Sequence, residues 1–175
     1  MKTNVVPVAI RAILPASSGV ALFLGNDDKV FVIQVEHAMG TIIDMALRGT
    51  SKDRPLTHDL IGTILQGFGI VVERVVITEL KNSTYFARLI LKQENELGQK
   101  IIEVDARPSD CLAIAAAAKR PVFVSRRLFD EVEDMSEVLE RIHLQGESDT
   151  GIEGEGEGGT SGDDDDEGDK PPGKE

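Results

Sequence analysis

Apolar and polar positions alternate from the start of the chain. Val5 to Leu14 carries β-branched residues at strand spacing and predicts a strand that ends at Pro15. Val20 to Leu24 and Val30 to Val35 flank Gly25-Asn26-Asp27-Asp28, which predicts a hairpin. At Glu36 the period changes. Ile42, Ile43, Ala46 and Leu47 recur at helical spacing up to Arg48, and Gly49 supplies a C-terminal stop. Thr57 to Gln66 predicts a second helix, with Thr57 as N-cap and Leu60, Ile61, Ile64 and Leu65 as its buried face.

Ile70 to Leu80 and Thr84 to Leu91 predict an antiparallel pair turned at Lys81-Asn82-Ser83, and Lys100 to Asp105 predicts another strand. Ser109 is expected to cap a helix over Asp110 to Lys119. From Cys111 to Ala118 that helix is apolar on every side, so it belongs inside the fold. Pro121 to Val124 reads as a short last strand, and Ser136 to Leu144 as an amphipathic helix with Val138, Leu139 and Ile142 as its stripe. Hairpins mixed with separate helices predict an α+β fold. Its sheet is mixed and largely antiparallel, packed against several helices.

Charge divides the chain in two. Of 31 acids and 19 bases in the 175 residues, twelve acids and two bases lie from Gly146 onward. The tail thus carries −10 and the body −2 of the net −12. Residues 1–145 are read as one domain. Residues 146–175, rich in Gly, Asp and Glu, are read as a disordered acidic tail that buries too little apolar surface to offset its ordering entropy. That tail reads as a solvating segment, an electrostatic mimic of nucleic acid, or a loose cation binder at Asp163 to Asp166. A body without basic surplus leaves any RNA or DNA contact to a local cluster of Arg and Lys or to a cleft between subunits. The single cysteine, Cys111, excludes an internal disulfide and a multi-cysteine zinc site, and its apolar neighbours predict a buried thiol. No signal-peptide core or membrane-spanning run is read, so a cytoplasmic protein is expected.

Two strings hold the candidate chemistry: Arg54-Pro55-Leu56-Thr57-His58-Asp59 and Asp105-Ala106-Arg107-Pro108-Ser109-Asp110. Each precedes a predicted helix, where free N–H groups can hold an anion such as phosphate or carboxylate. Their order and surroundings resemble the bifunctional nuclease domain family. The residues that carry the resemblance are Arg54 to Leu60, Val75 to Ile77, Thr84 to Leu89, Glu103 to Ala115 and Pro121 to Val124. It covers roughly Val5 to Leu128. The resemblance implies a small, soluble α+β protein that forms homo-oligomers, with hydrolysis of phosphodiester bonds in RNA or DNA as its activity.

Such chemistry assigns roles to the two strings. Asp105, Asp59 and Asp110 are candidate oxygen ligands for Mg²⁺ or Mn²⁺, with Asp105 and Asp59 foremost. His58 is a candidate general base beside Asp59 and Asp110, because imidazole titrates near neutral pH. Arg54 and Arg107 can hold phosphate oxygens in bidentate fashion, with the hydroxyls of Thr57 and Ser109 adding contacts. The same residues also have structural readings. Asp59 and Asp110 complement helix dipoles, Thr57 and Ser109 cap, and the arginines pair with nearby acids. The alternative function is a non-catalytic oligomeric module binding an anionic ligand or a protein partner.

Overall fold

The computed structural model describes residues 4–96 and 98–149, the last four by backbone alone. Strands β1 (Val5–Ala16), β2 (Gly19–Gly25) and β3 (Val30–Val35) form two successive hairpins. Helices α1 (His37–Arg48) and α2 (Thr57–Gly67) follow, and then the β4 (Ile70–Lys81) and β5 (Thr84–Asn95) hairpin. After β6 (Gly98–Ala106), α3 (Pro108–Ala118) crosses back to β7 (Val122–Ser125), followed by α4 (Arg126–Glu131) and α5 (Ser136–Asp149). The seven strands form one sheet in the order β3-β2-β1-β7-β4-β5-β6. Only the β4–β7 pair is parallel, so the sheet is mixed and mainly antiparallel, as the pattern predicts.

Local chemistry explains the hairpins. Asn82 and Ser83 both adopt positive φ, 48° and 61°, which gives the β4–β5 turn the twist of its flanking strands. β1 runs through Pro15 to Ala16 rather than stopping at the proline. At that end only β2 flanks β1, whereas β7 pairs with Val5–Val8, so the missing N–H of Pro15 interrupts no second ladder. A register shift between Ile10 and Ala12 changes which side chains face which layer. Ile10 and Ile13 pack toward the main core, and Ala12 and Leu14 toward a smaller cluster where Phe23 and Val30 meet Leu139 of α5.

α3 lies in the middle of the helix layer, touching both α1 and α2 as well as β4 and β5. Cys111 to Ala115 are all buried, as an apolar helix without a polar face requires. Its last turn, from Ala117, emerges into solvent. α1 approaches β2 so closely that a Cβ on Gly40 would lie 2.6 Å from Val20 Cγ2, and Gly49 ends the helix in the left-handed region.

Several expectations are corrected. Leu56, not Thr57, is the N-cap residue of α2, and Arg107, not Ser109, is that of α3. Neither N-cap residue makes a cap bond with its own side chain. Pro108 occupies the first turn of α3, where its lack of an N–H costs nothing, and this moves the boundary back past Ser109. The buried face of α2 is also rotated. His58, Ile61 and Leu65 turn inward, whereas Leu60 and Ile64 stay 53% and 49% exposed. α4 was not foreseen: six residues suffice for it because the Ser125 hydroxyl accepts from Leu128 N–H at 3.2 Å, while Leu128 and Phe129 enter the core. α5 continues to Asp149, past its expected end at Leu144. The tail reading otherwise lies outside the described residues.

Candidate active site

The two Arg-Pro strings meet through side chains of α2 and α3. His58 in the first turn of α2 places Nε2 3.0 Å from Asp110 Oδ1 in the first turn of α3. Arg107 clamps the same carboxylate from its other side, Nε donating to Oδ2 at 2.8 Å and Nη2 to Oδ1 at 3.3 Å. Asp110 thus joins a buried imidazole to a guanidinium that remains mostly in solvent. The Arg107 guanidinium, and then the His58 bond, hold the Asp110 carboxyl below its usual range, while partial burial acts against them. The carboxylate raises the Arg107 pKa in turn.

A carboxylate accepts only, so the imidazole donates from Nε2. In the neutral ring this leaves Nδ1 as a bare lone pair, and Nδ1 is buried without a partner among the described residues. His58 is the one buried polar or charged side chain among the described residues, at 9% exposure.

Asp59 is held differently. Both its oxygens lie 2.8 Å from Lys52 Nζ, and Oδ2 also accepts from Leu56 N–H at 2.8 Å. The Lys52 bond and then the Leu56 bond lower its pKa. The carboxylate therefore satisfies a free N–H at the start of α2 from inside the helix, in place of the expected Thr57 cap. Sequence reasoning paired Asp59 with Arg54 and missed Lys52, which the loop before the helix carries back over the first turn.

A cavity of about 770 Å³ opens beside α3. Arg107, Pro108 and Ser109 line one side, and β3, Tyr85 and the segment from Glu131 to Met135 line others. Tyr85 donates its hydroxyl to Val32 C=O at 3.3 Å, and burial raises its pKa. The cavity thus takes in Arg107 and Ser109 from the second string. Arg54 and Thr57 are exposed outside its lining, and Arg54 has no hydrogen-bond or ion-pair partner among the described residues.

Asp105 stands apart from this cluster. It pairs in register with Arg88 across β5 and β6, and partners directly opposite share a sheet face. Ala87 and Leu89 of β5 enter the main core beside the helices, so Arg88 and Asp105 belong to the opposite face. Arg88 there binds Glu103 at 2.6 Å. Among the described residues no three His, Cys, Asp or Glu side chains converge as ligands for one metal ion. Asp105 and Asp59 therefore do not come together as the expected ligand pair within one chain.

Sequence comparison assigns this architecture to a family. The bifunctional nuclease domain matches residues 21–137, and the chain belongs to that family. The matched span runs from β2 into α5 and includes every residue of the two strings. An uncharacterized protein of Mycobacterium tuberculosis is 33% identical over 118 residues, which cover 67% of this chain and 68% of the relative. Bifunctional nuclease 1 of Oryza sativa subsp. indica is 32% identical over 104 residues, 59% of this chain but only 31% of the plant protein. No helix among the described residues is long and apolar enough to cross a membrane.

Proposed function

We propose that this protein is a nuclease that hydrolyses phosphodiester bonds in RNA or DNA. The observation that carries the reading is the junction of His58, Asp110 and Arg107, of which Arg107 lines the cavity, within a chain of the bifunctional nuclease domain family. In this reading Arg107 faces the phosphate and Ser109 adds a contact within the cavity. Arg54, exposed at the start of α2, is a second cation for the strand backbone. Asp110 fixes the imidazole through Nε2. His58 then moves the proton through Nδ1, from the attacking water to the leaving oxygen. Water must reach a buried Nδ1, so substrate binding has to open that side of the ring. Asp59 fixes the start of α2 through Lys52 and Leu56 rather than touching substrate.

The test is cleavage of single-stranded RNA and DNA by the full chain, with and without Mg²⁺ or Mn²⁺, beside a His58→Gln variant shown to be folded. Cleavage that falls at least ~100-fold in the variant supports the assignment, within the usual size of general acid–base effects. Cleavage unchanged by His58→Gln removes His58 from the chemistry.

A second reading has an observation of its own. Asp59 and Asp110 are already fully engaged by protein groups, as a structural staple between α2 and α3 requires. A non-catalytic module binding an anionic ligand would then be stabilised by a nucleotide in thermal shift, without cleaving any polymer.

A further inference from the structure

The charge of the cavity beside α3 does not match a site for phosphate alone. Three carboxylates line it, from Glu36, Glu131 and Glu133, against one guanidinium, from Arg107. Two of the three answer protein cations. Arg127 Nε lies 2.8 Å from Glu131 Oε1. Asp110 first, and Glu36 after it, raise the Arg107 pKa, so Glu36 acts on that guanidinium. Glu133 is exposed and has neither a hydrogen bond nor an ion pair among the described residues.

Another wall of the same cavity is a strand edge. β3 ends the sheet, and Val30 turns both its backbone groups outward. Its C=O accepts from Met135 N–H at 2.7 Å and its N–H donates to Ser136 Oγ at 3.2 Å. The alternation of an antiparallel ladder therefore turns the backbone groups of Val32 and Gln34 outward too. Val32 C=O accepts the Tyr85 hydroxyl. Val32 N–H, Gln34 N–H and Gln34 C=O have no hydrogen-bond partner among the described residues, although both residues line the cavity. Val32 follows Val30 by two residues and Glu133 precedes Met135 by two, so a free donor and a free carboxylate flank the Val30–Met135 bond. The half-buried ring of Tyr85 adds a flat aromatic wall.

We propose that this part of the cavity is a base pocket that selects guanine. The phosphate lies at Arg107 and Ser109, and the base stacks on Tyr85. Val32 N–H donates to guanine O6, and the Glu133 carboxylate accepts from N1–H and the N2 amine. A carboxylate offers acceptors and no donor. Among the common bases, guanine alone sets two adjacent donors beside an acceptor on its Watson–Crick edge. Adenine and cytosine place a ring lone pair next to the amine. Uracil and thymine place a carbonyl on each side of a single N–H. Each of these would oppose a lone pair to the carboxylate. The cavity, at about 770 Å³, has the size of a small-molecule site. A base held by that edge is unpaired, so the strand it belongs to is single-stranded. The proposal rests on the nuclease reading only for the place of the phosphate at Arg107.

Isothermal titration of the full chain with guanosine, adenosine, cytidine and uridine 5′-monophosphates tests the pocket. Guanosine monophosphate should bind at least ~5-fold more tightly than the others, the lower end for a bidentate side-chain–base pair. Glu133→Gln, at an exposed position, should remove that preference with unchanged far-UV circular dichroism. Glu36→Gln should tighten all four nucleotides alike, because Glu36 opposes the phosphate at Arg107. Absent binding, equal affinities, or a preference that survives Glu133→Gln overturns the proposal. Cleavage of single-stranded RNA by the same samples is scored separately. Guanine preference in binding without any cleavage keeps the pocket and removes the nuclease reading. Cleavage with equal affinities for the nucleotides does the reverse.

Discussion

Removing the Asp110 carboxylate should destabilise the fold far more than removing the arginine that contacts it most extensively. In Asp110→Ala three contributions are lost. The bond to His58 joins a charged acceptor to a buried ring and is worth about 1.5–3 kcal/mol. The two bonds from Arg107 involve a guanidinium that is 65% exposed, and such pairs contribute about 0–1 kcal/mol. The acid in the first turn of α3 adds about 0.3–1 kcal/mol through the helix dipole. The total is about 2–5 kcal/mol for Asp110→Ala, against less than about 1 kcal/mol for Arg107→Ala, where only the exposed pair is lost. Urea denaturation measures both, as a shift in midpoint at constant slope.

The pH dependence has a fixed sign. Asp110 has a lowered pKa in the folded state, so its contribution is present above the unfolded carboxyl value of about 3.9 and is lost as pH falls through the folded value. The stability gap between wild type and Asp110→Ala should therefore be full near neutrality and shrink only in acid. Equal effects of the two substitutions, or a gap that closes on raising the pH from 5 to 8, would refute the view of Asp110 as the tie between α2 and α3.

Two further outcomes follow from the packing. Gly40→Val should destabilise by about 1–3 kcal/mol in the same urea assay, because the new side chain must displace Val20 and lift α1 from β2. Cys111 is fully buried and its thiol is pushed up to about 12, by burial first and then by Asp110 and Asp105. It should resist a thiol reagent at pH 8 in the native protein and react promptly in denaturant.

Much of the fold was legible because its signals are local. The Gly25 to Asp28 hairpin, the Asn82-Ser83 turn and the interior helix after Asp110 each follow from a few neighbouring residues. What was illegible depends on distant partners. The apolar pattern of α2 gives Leu60 and Ile64 the same claim to burial as Ile61 and Leu65. His58 takes the inward place because Asp110, 52 residues later, satisfies its Nε2. Thr57 and Ser109 have the chemistry of caps, but Asp59 and Pro108 settle the two helix starts instead. Strand alternation puts Asp105 with Glu103, but which sheet face lies beneath helices depends on the crossing of α3.

Cleavage of single-stranded RNA and DNA by wild type and Arg107→Ala tests the candidate site most directly, since this substitution leaves the fold nearly intact. A loss of at least ~10-fold in rate is expected if Arg107 holds the scissile phosphate, the lower end for losing one charge-stabilising group. An unchanged rate in Arg107→Ala, or no cleavage by the wild type in any metal condition, contradicts it.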